Sequence, residues 1–120
     1  MATVILVEND RDLRTILSGI LAEHGFTVLV STDALGAVAI ARGLQHAPDL
    51  ILFDRRIAQG AEQELVAWMR SFAWIGHVPI VLFTAHGFPV QNACPVETLR
   101  EAFDADLLLA VVEGICLHSS

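Results

Sequence analysis

Oxygen-bearing side chains stand directly after several short apolar runs of the sequence. They are Glu8, Asn9 and Asp10 after TVILV, Asp54 after DLILF, Thr84 after VPIVLF and Glu101 after VETLR. Carboxylate and amide oxygens that converge on one point form a site for a hard cation such as Mg²⁺. A carboxylate beside such a cation can attack a phosphoryl group as a nucleophile. A hydroxyl such as that of Thr84 can then donate a hydrogen bond to the phosphoryl oxygens.

Taken one at a time, these residues also suit purely structural roles. An aspartate at the end of a strand, such as Asp54, commonly begins a turn. Asp10 stands where the N-cap of the following helix belongs, and Thr84 precedes a loop. The hypothesis of a reactive site therefore depends on whether the fold brings these distant residues together.

The apolar runs and the segments between them alternate as β-strands and α-helices. Strands are predicted at 3–7, 26–30, 49–53, 78–83 and 96–100, and helices at 11–25, 31–47, 61–76 and 103–117, the last capped by Asp104. Strands that are apolar on both faces indicate a parallel sheet covered by helices above and below. Right-handed crossovers place all the loops that follow the strands at one edge of this sheet. We therefore expect the oxygen-bearing residues at that edge, where ligand sites of such sheets lie.

Composition predicts one globular domain over residues 1–120 and excludes several kinds of partner. The net charge is −7 and no lysine is present, so direct nucleic-acid binding is not expected. No apolar run is long enough to span a membrane, and the first residues lack the basic start of a signal peptide. Cys94 and Cys116 fit reduced thiols. These features together predict a cytoplasmic protein.

With its elements placed, the sequence resembles the receiver domain of bacterial two-component response regulators. The resemblance rests on VILVENDRDLR, PDLILFDRRI, VPIVLFTAH and FDADLLLAVVEGI. It implies a three-layer, doubly wound, flavodoxin-like α/β fold with a five-stranded parallel sheet of order 2-1-3-4-5. It also implies a signalling domain of a phosphorelay, not an enzyme, whose partner is a histidine kinase or a phosphotransfer protein.

The resemblance assigns a role to each residue at the sheet edge. Asp54 corresponds to the phosphoacceptor, and Thr84 to the switch hydroxyl. Glu8 and Asn9 fall on the acidic pair that holds Mg²⁺ together with Asp54 and the backbone carbonyl of Arg56.

Several positions depart from the family pattern. Asn9 replaces an aspartate and weakens the expected magnesium site, because an amide oxygen brings no charge. Glu101 stands at the position of the phosphoryl-binding lysine, where a carboxylate would repel a phosphoryl group. Thr98 replaces the aromatic switch residue. The spacing from Thr84 to Glu101 is shorter than usual, which predicts a fourth helix that is shortened or missing.

An arginine could supply the positive charge that the family's lysine normally provides at the site. Arg100 is one candidate if the alignment slips by a position, and Arg55 and Arg56 are others. The alternative is that these are solvated loop residues.

Two functions follow from these features. The chain is either a phosphorylatable receiver or a pseudo-receiver that signals by dimerisation or docking without phosphorylation. A metabolic enzyme on the same fold is disfavoured because the sequence has no glycine-rich phosphate loop. The final helix is apolar nearly all round, which predicts a homodimer or partner docking through it. A charge at Leu108 or Val112 is accordingly expected to change the assembly state.

Overall fold

A computed structural model describes residues 2–83, 96–98 and 105–118 of the chain, with side chains of the last helix described over 108–116. The strands are β1 (Thr3–Val7), β2 (Thr27–Ser31), β3 (Leu50–Asp54), β4 (Ile80–Phe83) and β5 (Val96–Thr98), and the helices are α1 (Arg11–Glu23), α2 (Ala34–Gly43), α3 (Glu62–Arg70) and α4 (Ala105–His118). A short 3₁₀ helix, Arg55–Ala58, lies between β3 and α3. The predictions for a shortened fourth helix and for the cap Asp104 fall outside the described residues.

The five strands form one parallel sheet in the order β2-β1-β3-β4-β5, as the resemblance implied. Val7 of β1 is the register partner of Phe53 in β3, and Asp54 is the partner of Phe83 in β4. The carboxyl ends of these central strands therefore lie side by side. β3 is the strand from which Asp54 emerges, and all five of its residues are buried.

Alternate residues of the strands build a separate apolar core on each face of the sheet. On one face, Ile51 and Phe53 belong to a cluster with residues of α2 and α3. On the other face, Leu50 and Leu52 belong to a cluster with residues of α1 and α4. This arrangement confirms the predicted α/β fold, in which helices cover both faces of a parallel sheet.

Local hydrogen bonds explain where the helices begin and end. The carboxylate of Asp10 accepts from Leu13 N at 3.0 Å, which confirms Asp10 as the N-cap of α1. The predicted helix over 61–76 ends earlier, at Arg70. The guanidinium Nη1 of Arg70 donates to the backbone oxygens of Ile75, Gly76 and Val78 at 3.1, 3.3 and 2.6 Å. These bonds stabilise a series of turns where the sequence pattern predicted further helix.

Gly36 in the first turn of α2 has no room for a side chain. An added Cβ would overlap the Ser31 hydroxyl oxygen and lie 3.0 Å from Asp33 Oδ1. The hydroxyl cannot move freely, because it donates to Asp33 O at 2.8 Å and accepts from Asp33 N at 3.3 Å. The Asp33 carboxylate in turn caps α2 by accepting from Gly36 N at 2.7 Å.

We therefore expect Gly36→Ala to lower the free energy of unfolding by about 1–3 kcal/mol, the usual cost of overpacking. Urea denaturation followed by circular dichroism measures this change. Gly43→Ala in the same helix is the matched control, since no atom lies within 4 Å of its added Cβ. The control is expected to be neutral or to stabilise by up to about 1 kcal/mol. Equal effects of the two substitutions would contradict the prediction.

The predicted interface on the last helix needs a correction. Leu108 and Val112 are 1% and 0% exposed, and both lie in the core cluster on the α1 side of the sheet. They are buried within the domain and cannot be interface residues, so the expected effect of a charge there on assembly is wrong. The helical spacing of apolar residues could not indicate which face of this helix packs against the sheet, because nearly every position is apolar.

No helix in the described ranges is long and apolar enough to cross a membrane. Cys116 in α4 is a thiol. Burial raises the pKa of this thiol to about 11, so it is protonated at neutral pH. Cys94 lies outside the described residues.

Candidate functional site

Two carboxylates at the carboxyl edge of the sheet are buried completely. Glu8 follows β1 and Asp54 ends β3, and both are 0% exposed. The two strands are neighbours in the sheet, so these side chains meet although they are far apart in the sequence. Buried carboxylates are rare unless a cation or hydrogen-bond donors accompany them. The described contacts of both residues therefore determine what this site can do.

Arg56 supplies the donors that surround Asp54. Its backbone N–H donates to Asp54 Oδ1 at 3.0 Å. Its Nε lies 3.1 Å from Oδ2 and 3.4 Å from Oδ1, and its Nη2 donates to Oδ2 at 2.9 Å. The guanidinium therefore binds Oδ2 through two nitrogens and makes a longer contact from Nε to Oδ1, and such charge-assisted bonds are stronger than neutral ones. The 3₁₀ helix makes this possible, because its turn brings Arg56 back over the residue that caps it.

Glu8 is held by the backbone of the next loop. Its Oε2 accepts from Asp10 N at 3.0 Å and lies 3.8 Å from Arg56 Nη2. The backbone carbonyl of Glu8 accepts from Arg14 Nη1 at 3.1 Å, which ties the start of α1 to the end of β1. Among the described residues, Oε1 of Glu8 has no hydrogen-bond partner when both carboxyl groups are ionised. A buried oxygen in this state can accept a proton or coordinate a cation.

The electrostatics of the pair differ sharply between its two members. Burial, together with the hydrogen bond and the charge of the neighbouring Asp54, raises the pKa of Glu8 to about 7. Burial also acts to raise the pKa of Asp54, but the hydrogen bonds from Arg56 and Glu8 outweigh it and lower that pKa below its ordinary value. A proton on Glu8 makes its carboxyl group a donor to Asp54. Asp54 is therefore the ionised member, which is the state that a nucleophile requires.

The arginine that follows Asp54 in the sequence has a different partner. Arg55 Nε lies 3.4 Å from Glu62 Oε1, in the first turn of α3. The interpretation of Arg55 and Arg56 as solvated loop residues is therefore wrong for both. The family resemblance assigned Arg56 to the site chiefly as a backbone-carbonyl ligand of magnesium. The contact of its guanidinium with Asp54 depends on the 3₁₀ turn, which the sequence pattern did not predict.

The remaining predicted site residues lie in two groups. Asn9 is exposed at the edge of the sheet beside buried Glu8, and Asp10 is exposed as the cap of α1. Thr84, Glu101 and the alternative Arg100 fall outside the described residues. The described structure thus brings together Glu8, Asp54 and Arg56 from the predicted set.

The chemistry of the donors fits a hard cation in part. Glu8 and Asp54 supply carboxylate oxygens, one of which has no hydrogen-bond partner among the described residues, and the backbone oxygen of Arg56 accepts a 3.3 Å bond from Gln59 N. Within the described ranges, no three His, Cys, Asp or Glu side chains form a metal-binding group. A magnesium ion would therefore need the Arg56 carbonyl, the Asn9 amide or water as further ligands.

Comparison with known sequences agrees with this geometry. The profile of the response regulator receiver domain matches residues 4–101. The chain belongs to the response regulator receiver domain family. Receiver domains are signalling domains that interact with kinases or phosphotransfer partners.

Individual relatives of this receiver domain are distant. Protein Rrf1 of Nitratidesulfovibrio vulgaris is 27% identical over 113 residues, which cover 93% of this chain and 80% of that protein. The polar-differentiation response regulator DivK of Brucella anthropi is 25% identical over 83 residues, which cover 69% of this chain and 66% of DivK.

A solved structure shares the receiver fold. It is the receiver domain of a sensor histidine kinase from Pseudomonas aeruginosa, which carries a magnesium ion in its active site cleft. The two structures give a TM-score of 0.75 at 21% identity, with 96% of this chain and 97% of that chain covered. At this identity the similarity establishes the fold, while the magnesium ion is a property of that protein.

Proposed function

We propose that this receiver domain accepts a phosphoryl group on Asp54 from a histidine kinase or a phosphotransfer protein. The observation that carries the proposal is the environment of Asp54, which is fully buried at the end of β3 and held ionised by Arg56. The rigid parallel sheet fixes the direction of this carboxylate, as a nucleophile requires. The single domain over residues 1–120 is part of the same proposal.

The transfer step uses one oxygen of Asp54. That oxygen forms a new bond to the phosphorus of a phosphohistidine, the phosphorus–nitrogen bond breaks, and the imidazole nitrogen leaves with the electron pair. Glu8 carries the second carboxyl group of the site. The hydroxyl of Thr84 is the proposed donor to the phosphoryl group after transfer.

Magnesium is the cofactor that we propose for this step. Glu8, Asn9, Asp54 and the backbone carbonyl of Arg56 would hold the ion, which when bound neutralises charge on the carboxylates and on the phosphoryl oxygens. Asn9 contributes an amide oxygen without charge, so the site is weaker than one with three carboxylates. Glu101, at the position of the family's lysine, adds no positive charge.

The test is intact-mass spectrometry after incubation of the protein with acetyl phosphate and MgCl₂. We expect a phosphoryl adduct on the unsubstituted protein and on Asp12→Asn, and complete loss of the adduct in Asp54→Asn. Asp12 is the matched control because it is an exposed aspartate of α1 and the substitution changes the charge equally. No adduct on the unsubstituted protein, together with no binding of beryllofluoride, would overturn the proposal.

A pseudo-receiver is the second candidate, and one observation favours it. Both oxygens of Asp54 already accept hydrogen bonds from Arg56, so the free carboxylate is engaged before any phosphoryl donor arrives. In that case the domain would signal by dimerisation or docking alone. Failure of both acetyl phosphate and beryllofluoride is the result that this alternative predicts.

A further inference from the structure

We propose that the Arg56 side chain is a resident counter-ion of the Glu8–Asp54 pair, which a divalent cation has to displace in order to bind. The inference deepens the proposed function, because it concerns the same site and sets the conditions under which metal enters it. It concerns the side chain of Arg56, whereas the proposed magnesium site uses only the backbone carbonyl of this residue.

The first argument is the saturation of Asp54. A carboxylate has about four lone-pair positions for hydrogen-bond donors or cations. Arg56 makes four contacts with the two oxygens, through N at 3.0 Å, Nε at 3.1 and 3.4 Å, and Nη2 at 2.9 Å. A metal ion that binds Asp54 directly therefore has to replace at least one of these contacts.

The second argument is that the guanidinium reaches both carboxylates that would hold the metal. Nη2 lies 2.9 Å from Asp54 Oδ2 and 3.8 Å from Glu8 Oε2. One positive charge thus stands beside both negative groups, as a bound cation would. Because both carboxylates are fully buried, their charges are poorly screened by solvent and this single cation has a large effect on the site.

The third argument is that the counter-ion is tethered but able to leave. Arg56 lies two positions after Asp54 in the chain, so its guanidinium competes with dissolved Mg²⁺ at a high effective concentration. Its side chain is 37% exposed, whereas Glu8 and Asp54 are buried completely. The guanidinium can therefore move into solvent while the two carboxylates stay in place.

Arg55 provides a natural comparison. It carries the same charge one position earlier but pairs with Glu62 at 3.4 Å. Removal of either arginine changes the net charge of the domain equally. Only removal of Arg56 opens the ligand positions of Asp54, so the two substitutions separate a direct effect from a general electrostatic one.

The experiment is a titration with MgCl₂ in isothermal calorimetry, at physiological ionic strength so that distant charges are screened. It compares the unsubstituted protein with Arg56→Met and Arg55→Met. We expect Arg56→Met to bind Mg²⁺ at least about tenfold more tightly, and Arg55→Met to stay within about threefold of the unsubstituted protein. Equal changes in the two variants, or no magnesium binding by any of the three proteins, would overturn the proposal.

A second measurement uses the unsubstituted protein and does not depend on the folding of a variant. In a ¹⁵N NMR spectrum, the Nε–H signal of Arg56 is identified by its loss in Arg56→Lys. We expect saturating Mg²⁺ to move this signal toward the position of solvent-exposed arginine. A bound magnesium ion that leaves the signal unchanged would contradict displacement.

Measurement of phosphoryl incorporation distinguishes a failure of this inference from a failure of the proposed function. If Arg56→Met binds Mg²⁺ more tightly but neither it nor the unsubstituted protein forms an adduct with acetyl phosphate, the counter-ion role stands and phosphoryl transfer fails. If the unsubstituted protein forms the adduct while Arg56→Met and Arg55→Met bind Mg²⁺ alike, phosphoryl transfer stands and the counter-ion role is wrong.

Discussion

Val112→Asp is expected to lower the free energy of unfolding by about 4 kcal/mol or more, which is a large fraction of the roughly 5–15 kcal/mol that stabilises a typical domain. Val112 is 0% exposed in the middle of α4, within the cluster that also holds Leu108 and residues of β1 and β3. An aspartate at this position would place a carboxylate among apolar side chains without a cation to pair with it. Urea denaturation followed by circular dichroism measures the loss.

Ala110→Asp is the matched control for this prediction. Ala110 is exposed on the same helix, so its substitution introduces the same charge without burial, and it loses more helix propensity than Val112→Asp does. We expect a cost below about 1 kcal/mol for this variant. If Val112→Asp stays folded and changes only the mass measured by light scattering, the packing of α4 described here is wrong and the helix forms an interface.

Phe53→Ala is expected to cost about 3–5 kcal/mol, the usual range for removal of a buried phenylalanine side chain. Phe53 is 1% exposed and belongs to the cluster that contains Val66 and Met69 of α3. The substitution would leave a cavity under the strand that carries Asp54. The cost is measured as the shift in the urea midpoint at an unchanged slope.

Phe53→Leu is the graded control, because it keeps an apolar side chain and removes less volume. We expect it to cost about 1–2 kcal/mol. A loss for Phe53→Ala that is no larger than that for Phe53→Leu would mean that the core rearranges to fill the space. In that case β3 would not be the rigid support of Asp54 that the site requires.

The proposed metal-binding set is weak, and a buried ion pair lies at the same place. Asn9 removes one carboxylate from the family pattern, and Arg56 engages the two that remain. Burial and the neighbouring Asp54 together raise the pKa of Glu8 to about 7, so the net charge of Glu8, Asp54 and Arg56 together is smaller than the count of carboxylates suggests. The domain can therefore keep two buried carboxyl groups together in the absence of a metal ion.

The sequence by itself determined the layout of this domain. Apolar runs such as TVILV and LILF predicted buried parallel strands, because such strands are covered on both faces. Asp10 predicted the start of α1 because an aspartate satisfies the open N–H groups of a first turn. The same rules placed Glu8 and Asp54 at one edge of the sheet.

Only the tertiary structure decided which side chains meet. Leu108 and Val112 face inward although the pattern of α4 is apolar nearly all round and favours no face. Arg70 donates hydrogen bonds to three backbone carbonyls and so stabilises the turns after α3. These bonds depend on the path of the backbone after the helix, which helix propensity does not predict. Arg56 binds Asp54 because the 3₁₀ turn folds its side chain back over the sheet edge. Such contacts depend on three-dimensional distance, whereas patterns in the sequence record only the spacing of residues along the chain.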